Sequence, residues 1–143
     1  MFAFHKTLLP IAFGASLLAT ALPAAAADID DAQLVIEDQI NAFLMDDAEA
    51  AYSHAAPGIR ALYPDSGRFF EMVKRGYRPV YRADNFAFGR WKASDDGRTI
   101  YQEVLVEGPD RKDWRVLYRL DKQDDGVFKI NGVQMAKTDA PQI

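Results

Sequence analysis

The chain has 143 residues, no cysteine, 49% apolar residues and a formal net charge of −4. This length fits one domain, and the lack of cysteine excludes a disulfide framework and thiol chemistry. Residues 28–143 hold 16 basic against 21 acidic residues, a balance typical of a folded soluble domain and not of a disordered or membrane-embedded chain.

The first 27 residues have the composition of an export signal. Lys6 precedes a long apolar stretch, and small residues stand where signal peptidase requires them, at Ala25 and Ala27. We therefore predict a cleavable signal peptide over residues 1–27, cut after Ala27 or Ala26, and Sec-dependent export to the periplasm or the medium. An uncleaved membrane anchor is the alternative. After cleavage, the protein is not expected to be an integral membrane protein.

A helical pattern follows the signal. Asp30 and Gln33 have capping-box spacing, which predicts a helix start. We predict about three helices: one from Asp30 to about Met45, a short one from Ala48 to about His54, and one from Ser66 to Arg75, with a further short turn or helix from Pro57 to Leu62. Gly76 is expected to end the last helix in the left-handed conformation.

After Pro79 the apolar residues recur with a period of two, which is typical of strands. The four strand-like runs are Asn85–Ala93, Thr99–Glu107, Asp113–Lys122 and Val127–Lys137. Short turns with glycine connect them, so neighbouring strands are antiparallel. The predicted fold class is α+β, with the helices packed on a curved four-stranded antiparallel sheet, in a single domain over residues 28–137 with a flexible tail at 138–143.

Three segments of the chain, Val35–Phe43, Ala55–Arg60 and Gly76–Tyr81, resemble a bacterial exported family known as domain of unknown function number 4864. The last two strands, with Tyr118 in one and Phe128 after the turn glycine of the other, are similar to those of the nuclear-transport-factor-2-like, cystatin-like superfamily. The resemblance implies a cone-like fold of helices around the curved sheet. It implies no established activity, which has to be argued from a site.

Few residues of the sequence carry recognisable chemistry. His54 is the one histidine after the signal, which excludes a histidine metal cluster. Most carboxylates fall at helix starts and turns, where capping accounts for them. Glu103 lies inside a strand, and we expect it to pair with Arg115 or Arg119 across the polar sheet face. We therefore predict no catalytic residue, no metal site and no cofactor.

A pocket between the helices and the sheet could still contain a few polar side-chain groups among apolar lining residues. Gln102, for example, alternates in phase with the apolar residues of its strand and is expected to face a cavity. The pocket candidates are Tyr52, His54, Tyr77, Tyr81, Gln102 and Tyr118.

The charges are unevenly distributed. Residues 28–65 carry one basic against nine acidic residues, whereas residues 66–92 carry seven basic against two acidic residues, with aromatic residues between them. Such a basic segment can bind single-stranded nucleic acid. For an exported acidic protein, however, an anionic ligand, a lipid headgroup or an acidic protein surface fits better, and we expect no nucleic-acid partner. The basic-surface candidates are Arg68, Lys74, Arg75, Arg78, Arg82 and Arg90.

Three functional hypotheses follow. The first is a non-catalytic periplasmic domain that binds a small apolar ligand or an envelope protein. The second is a lyase or isomerase that uses the cone pocket, with His54 and a tyrosine as its acid and base. The third is a homodimeric structural or assembly module of the cell envelope that uses the open sheet face. The position of His54 relative to any cavity discriminates between the first two.

Overall fold

The computed structural model of the protein describes residues 24–138. Five helices precede four strands: α1 (Ala24–Leu44), α2 (Ala48–Ser53), α3 (Pro57–Leu62), α4 (Ser66–Gly76), α5 (Arg78–Tyr81), β1 (Asn85–Ala93), β2 (Thr99–Glu107), β3 (Asp113–Lys122) and β4 (Phe128–Lys137). The strands form one antiparallel sheet in the order β1-β2-β3-β4, so the predicted α+β class and meander are confirmed.

The predicted signal peptide lies outside the described residues except for its last four, which form the first turn of α1. Of the predicted tail, only Thr138 is described. The expected start at Asp30 is wrong, because residues from Ala24 onward are already helical; Ala24 to Ala27 are four alanines, the strongest helix former. No helix within residues 24–138 has both the length and the apolar composition needed to cross a bilayer.

The sequence predicts the start of α4 correctly, but not its end and not the helix that follows it. Asp65 caps α4, since its carboxylate accepts a hydrogen bond from the Arg68 backbone N–H at 2.8 Å. Gly76, however, is the last helical residue and not a left-handed cap. Helix α5 was not predicted because it is four residues long and contains Pro79, which suits a first helical turn as well as a break.

The sheet is bent by two irregularities. The pairing of β1 with β2 shifts between Phe88 and Trp91, and the pairing of β3 with β4 shifts at Asn131, between Ile130 and Gly132. Such β-bulges bend the strand that contains them. The side chains of one face, including Ile100, Val104 and Val116, are buried beneath the helices, and the other face is exposed to solvent.

One hydrophobic core joins the helices to the inner face of the sheet. From α1 it takes residues at helical spacing, such as Ile36, Ile40 and Phe43. The segment between α2 and α3 also pairs with β4: the Ile130 N–H donates to the His54 carbonyl and the Ala56 N–H donates to the Ile130 carbonyl, both at 2.8 Å.

Candidate functional site

A cavity of about 230 Å³ lies between the helices and the inner face of β3 and β4; we call it the Tyr118 cavity. Its apolar wall includes Phe43 of α1, Ile59 of α3, Val73 of α4 and Ile130 of β4. Its polar lining residues are Gln39, Tyr63, Tyr77 and Tyr118. A site of this kind, mostly apolar with a few polar groups, is the usual form of a small-molecule pocket.

The local geometry of β4 explains why space remains here. Ile130, Gly132 and Val133 line the cavity and flank the bulge at Asn131. The Asn131 side chain fixes the bulge by donating a hydrogen bond to the Asp121 carboxylate at 2.7 Å. At the rim stands Leu62, which is 72% exposed although it is apolar, so the cavity meets solvent beside the end of α3.

Tyr118 is the unusual polar group of the cavity. Its side chain has no exposed surface, and its hydroxyl has no hydrogen-bond partner among residues 24–138. Burial raises the pKa of the Tyr118 hydroxyl, so the group stays protonated and neutral. A buried hydroxyl without a partner costs free energy, and a ligand atom that accepts its proton would remove that cost.

Of the other polar lining residues, Gln39 and Tyr77 have partners for their donors, and Tyr63 is only partly buried. The Gln39 amide nitrogen donates to the Ala51 carbonyl at 3.1 Å, and the Tyr77 hydroxyl donates to the Val133 carbonyl at 3.2 Å. These bonds hold α1 to α2 and the end of α4 to β4. Among the cavity-lining donors that are wholly buried, Tyr118 is therefore the one left for a ligand within the described part of the chain.

Two of the six pocket candidates, Tyr77 and Tyr118, line the cavity. Tyr52 lies behind it, where its hydroxyl donates to the Tyr63 carbonyl at 2.5 Å and so positions a cavity residue. Tyr81 lies further away and donates to the Asp46 carboxylate at 2.5 Å.

Gln102 is fully buried, but it does not line the cavity. Its amide nitrogen donates to the carbonyls of Glu103 at 2.7 Å and of Gly89 at 3.2 Å, while its oxygen accepts a hydrogen bond from Gln33 at 3.0 Å. These contacts tie α1 to the bulge of β1. The sequence pattern indicated the buried face of Gln102 but not these partners, which come from distant segments.

His54 stands at the end of α2, partly buried and outside the cavity. Burial lowers the pKa of its imidazole, nearby Asp38 raises it and nearby Lys129 lowers it, and the resulting pKa lies below the ordinary value. The histidine is therefore neutral near pH 7 and is not positioned against a cavity tyrosine.

The basic-surface candidates do not all meet at one place. Arg68, Lys74 and Arg75 lie on α4, and Arg78 begins α5. The Arg82 guanidinium is held by both carboxylate oxygens of Asp46 at 2.7 Å. Arg90 lies on β1, where its nearest carboxylate, that of Glu103, is 4.0 Å away.

The expected strand pair is present, since Glu103 and Arg115 approach to 3.5 Å. Among residues 24–138 no three His, Asp or Glu side chains are grouped as metal ligands would be.

The pocket candidates omitted Gln39 and Tyr63. Gln39 could have been found, because it follows Ile36 by three residues and precedes Phe43 by four, in the buried stripe of α1. Tyr63 follows a six-residue helix, and no periodic signal in the sequence places it at a cavity.

Comparison with protein families gives one match: the family model Domain of unknown function (DUF4864) fits residues 25–143. Neither the curated proteins nor the solved structures gave a match to the chain. The matched range contains all four polar residues of the Tyr118 cavity and both bulges of the sheet. The chain therefore belongs to the DUF4864 family.

Proposed function

We propose that the protein is a non-catalytic binding domain that holds a small, mainly apolar ligand in the Tyr118 cavity. The observation that carries this proposal is that Tyr118 lines an apolar cavity and has a fully buried hydroxyl without a partner among the described residues. An unsatisfied buried donor costs about 1–3 kcal/mol. A ligand with one acceptor atom would recover part of that cost and fill the apolar space.

The size of the cavity suits a small ligand. Its volume of about 230 Å³ is several times the roughly 30 Å³ that a water molecule occupies in the liquid. Apolar burial supplies about 0.8 kcal/mol for each methylene group, so a short alkyl chain or a single ring would gain enough to bind.

The cavity lining does not support the lyase or isomerase hypothesis. Proton transfer during such reactions needs a group whose pKa lies near the working pH. Within residues 24–138, the ionisable side chains that line the cavity are tyrosines, and burial moves the pKa of Tyr118 away from neutrality. His54, the base of that hypothesis, lies outside the lining.

We extend the proposal to the location and ancestry of the protein. The apolar stretch before Ala25-x-Ala27 supports cleavage and export to the periplasm of a bacterium. The order of helices followed by a bulged antiparallel meander supports membership of the nuclear-transport-factor-2-like superfamily. Mass spectrometry of the periplasmic fraction tests export: a chain beginning at Asp28 or Ala27 is expected, and an uncut chain in the membrane fraction would contradict it.

Ligand binding is tested by calorimetric titration of the purified protein with 1-octanol, a neutral probe that offers one acceptor oxygen. The substitution Val133→Phe puts a larger side chain into the cavity, and we expect it to weaken binding at least tenfold. The matched control Val127→Phe lies before β4 at a position that is 47% exposed and outside the cavity, and it should bind as the wild type does.

The test includes a variant that does not crowd the core. Tyr118→Phe keeps the ring and removes the donor, so octanol should bind about fivefold more weakly, which corresponds to a hydrogen bond of about 1 kcal/mol. If the wild type does not bind octanol, or binds it no better than the Val133→Phe variant, the proposal is wrong.

The open face of the sheet supports a second candidate function, the dimeric envelope module. Tyr101, Leu105 and Leu117 lie on the face turned away from the helices and are 39%, 44% and 39% exposed. Neighbouring exposed apolar side chains are typical of interaction surfaces. Native mass spectrometry of protein taken from the periplasm distinguishes the candidates, because a retained small mass supports ligand binding and a doubled mass supports the dimer.

A further inference from the structure

A groove on the surface of α4 continues from the rim of the Tyr118 cavity. Tyr63 and Met72 line both the cavity and the groove. Arg68 and Arg75 line the groove but not the cavity. Met72 and Arg75 are three residues apart on α4, so their side chains lie on the same side of the helix. An elongated molecule that leaves the cavity past Met72 therefore passes Arg75.

The acidic groups of the groove are already matched to other groups. Asp65 caps the helix and lies 3.4 Å from the Arg68 guanidinium, and Glu71 lies 3.4 Å from the Lys74 ammonium. Arg75 donates to the backbone carbonyl of Glu71 at 3.4 Å and has no carboxylate within 4.0 Å among residues 24–138. Arg75 is thus the uncompensated cation at the end of the groove.

We infer that the ligand is a single-chain anionic amphiphile whose chain, with the acceptor atom that the Tyr118 hydroxyl requires, lies in the Tyr118 cavity and whose carboxylate lies beside Arg75. This inference rests on the proposed function and adds the chemical class of the ligand. A guanidinium binds a carboxylate through two parallel N–H donors, a geometry that other cations lack.

The experiment compares two probes of equal chain length, octanoate and 1-octanol, by calorimetry on the purified wild type and two variants. Arg75→Gln removes the groove cation. Arg78→Gln removes an exposed arginine three residues further on that does not line the groove. The second variant thus controls for the general positive potential of this surface. Unfolding in urea measures whether either substitution changes folding.

The wild type is expected to bind both probes, octanol with its oxygen at Tyr118 and octanoate with its carboxylate at Arg75. Arg75→Gln should weaken octanoate binding about twofold to fivefold, within the upper part of the range for an exposed ion pair, and leave octanol binding unchanged. Arg78→Gln should change neither affinity. A structural role of Arg75 at the end of its helix would instead lower the stability of the variant and leave the ratio of the two affinities unchanged.

The remaining outcomes separate this inference from the proposed function. If octanol binds and Arg75→Gln leaves the octanoate affinity unchanged, or octanoate does not bind the wild type, the inference is overturned and the proposed function stands. If neither probe binds, both fail. A further measurement uses vesicles of phosphatidylglycerol and phosphatidylcholine. Sedimentation with these vesicles that depends on Arg75, without binding of free octanoate, would place this arginine at a membrane surface and overturn the inference.

Discussion

Tyr118 shows how one residue can combine a packing role with an unmet hydrogen bond. Its ring is among the largest fully buried side chains, between Val116 and Leu120 on the inner face of β3. The alternation of that strand predicts the inward orientation. Whether the hydroxyl has a partner depends on α1, α4 and β4, which come from three separate parts of the sequence, so the orphaned donor was not predictable.

Tyr118 has an unpaired hydroxyl, whereas the hydroxyl of the partly buried Tyr77 is hydrogen-bonded. The same substitution to phenylalanine should therefore affect the two positions in opposite directions. Tyr118→Phe removes an unpaired donor, so the free energy of unfolding should stay equal or rise by about 1 kcal/mol. Tyr77→Phe removes a hydrogen bond to the Val133 carbonyl and should lower that free energy by about 1 kcal/mol. Urea unfolding of the ligand-free protein measures both. A clear loss of stability in Tyr118→Phe would mean that its hydroxyl is bonded.

At the scale of the elements, Asp121 joins three strands. Its carboxylate accepts hydrogen bonds from Thr99 of β2 at 2.9 Å, from Arg119 of β3 at 3.2 Å and from Asn131 in the bulge of β4 at 2.7 Å. Burial opposes ionisation of Asp121, but these hydrogen bonds outweigh it and lower the pKa of the carboxyl below its ordinary value of 3.8.

A lowered pKa predicts the direction of an acid effect on stability. The folded state favours the ionised form of Asp121, so its contribution is complete above about pH 4 and is lost as the pH falls through the folded-state pKa. Asp121→Asn should therefore cost about 1–2 kcal/mol at pH 7 and progressively less as the pH falls through the folded-state pKa. Unfolding curves at several pH values measure the difference in the free energy of unfolding between the wild type and Asp121→Asn.

The control for this effect is Asp124→Asn, in the exposed turn after β3, where little change is expected at any pH. If the difference in free energy of unfolding between the wild type and Asp121→Asn stays the same at low pH, the lowered pKa of Asp121 is contradicted.

The elements differ in how far they could be predicted. The bounds of β1, β2 and β3 agree with the prediction because alternation and turn residues mark both ends of each strand. The bulges were not predicted, since a bulge depends on which residues face each other across two strands. The start of α1 was misplaced because its alanine run also fits a signal peptide.

At the scale of the whole molecule, the Tyr118 cavity lies at the junction of the two layers. Its lining comes from α1, α3, α4, α5, β3 and β4, so a ligand there contacts both the helices and the sheet. This junction was predicted as the place of a pocket, but only two of the six candidate side chains line it. A molecule bound at such a junction stabilises the fold as a whole, because the unfolded chain has no comparable site.

The size of the stabilisation by a bound ligand follows from the linkage between binding and folding. At a concentration a hundredfold above its Kd, octanol should stabilise the protein by about 2.7 kcal/mol. For a domain of this size the melting temperature would rise by roughly 10 °C. Differential scanning fluorimetry measures the shift, and Val133→Phe, which binds at least tenfold more weakly, should show at most about half of it. A similar shift in both proteins would place the bound octanol outside the cavity.

The pairing of the α2–α3 segment with β4 has a consequence for self-association. An edge strand offers unpaired backbone groups on which further strands can add, as in fibril growth. The His54–Ala56 backbone occupies part of that edge at Ile130. At the opposite edge, β1 carries a bulge and the exposed charges of Arg90 and Lys92. Both edges of the sheet are thus protected against the addition of a strand from another molecule. The open face of the sheet is then the surface through which two copies of the protein could associate.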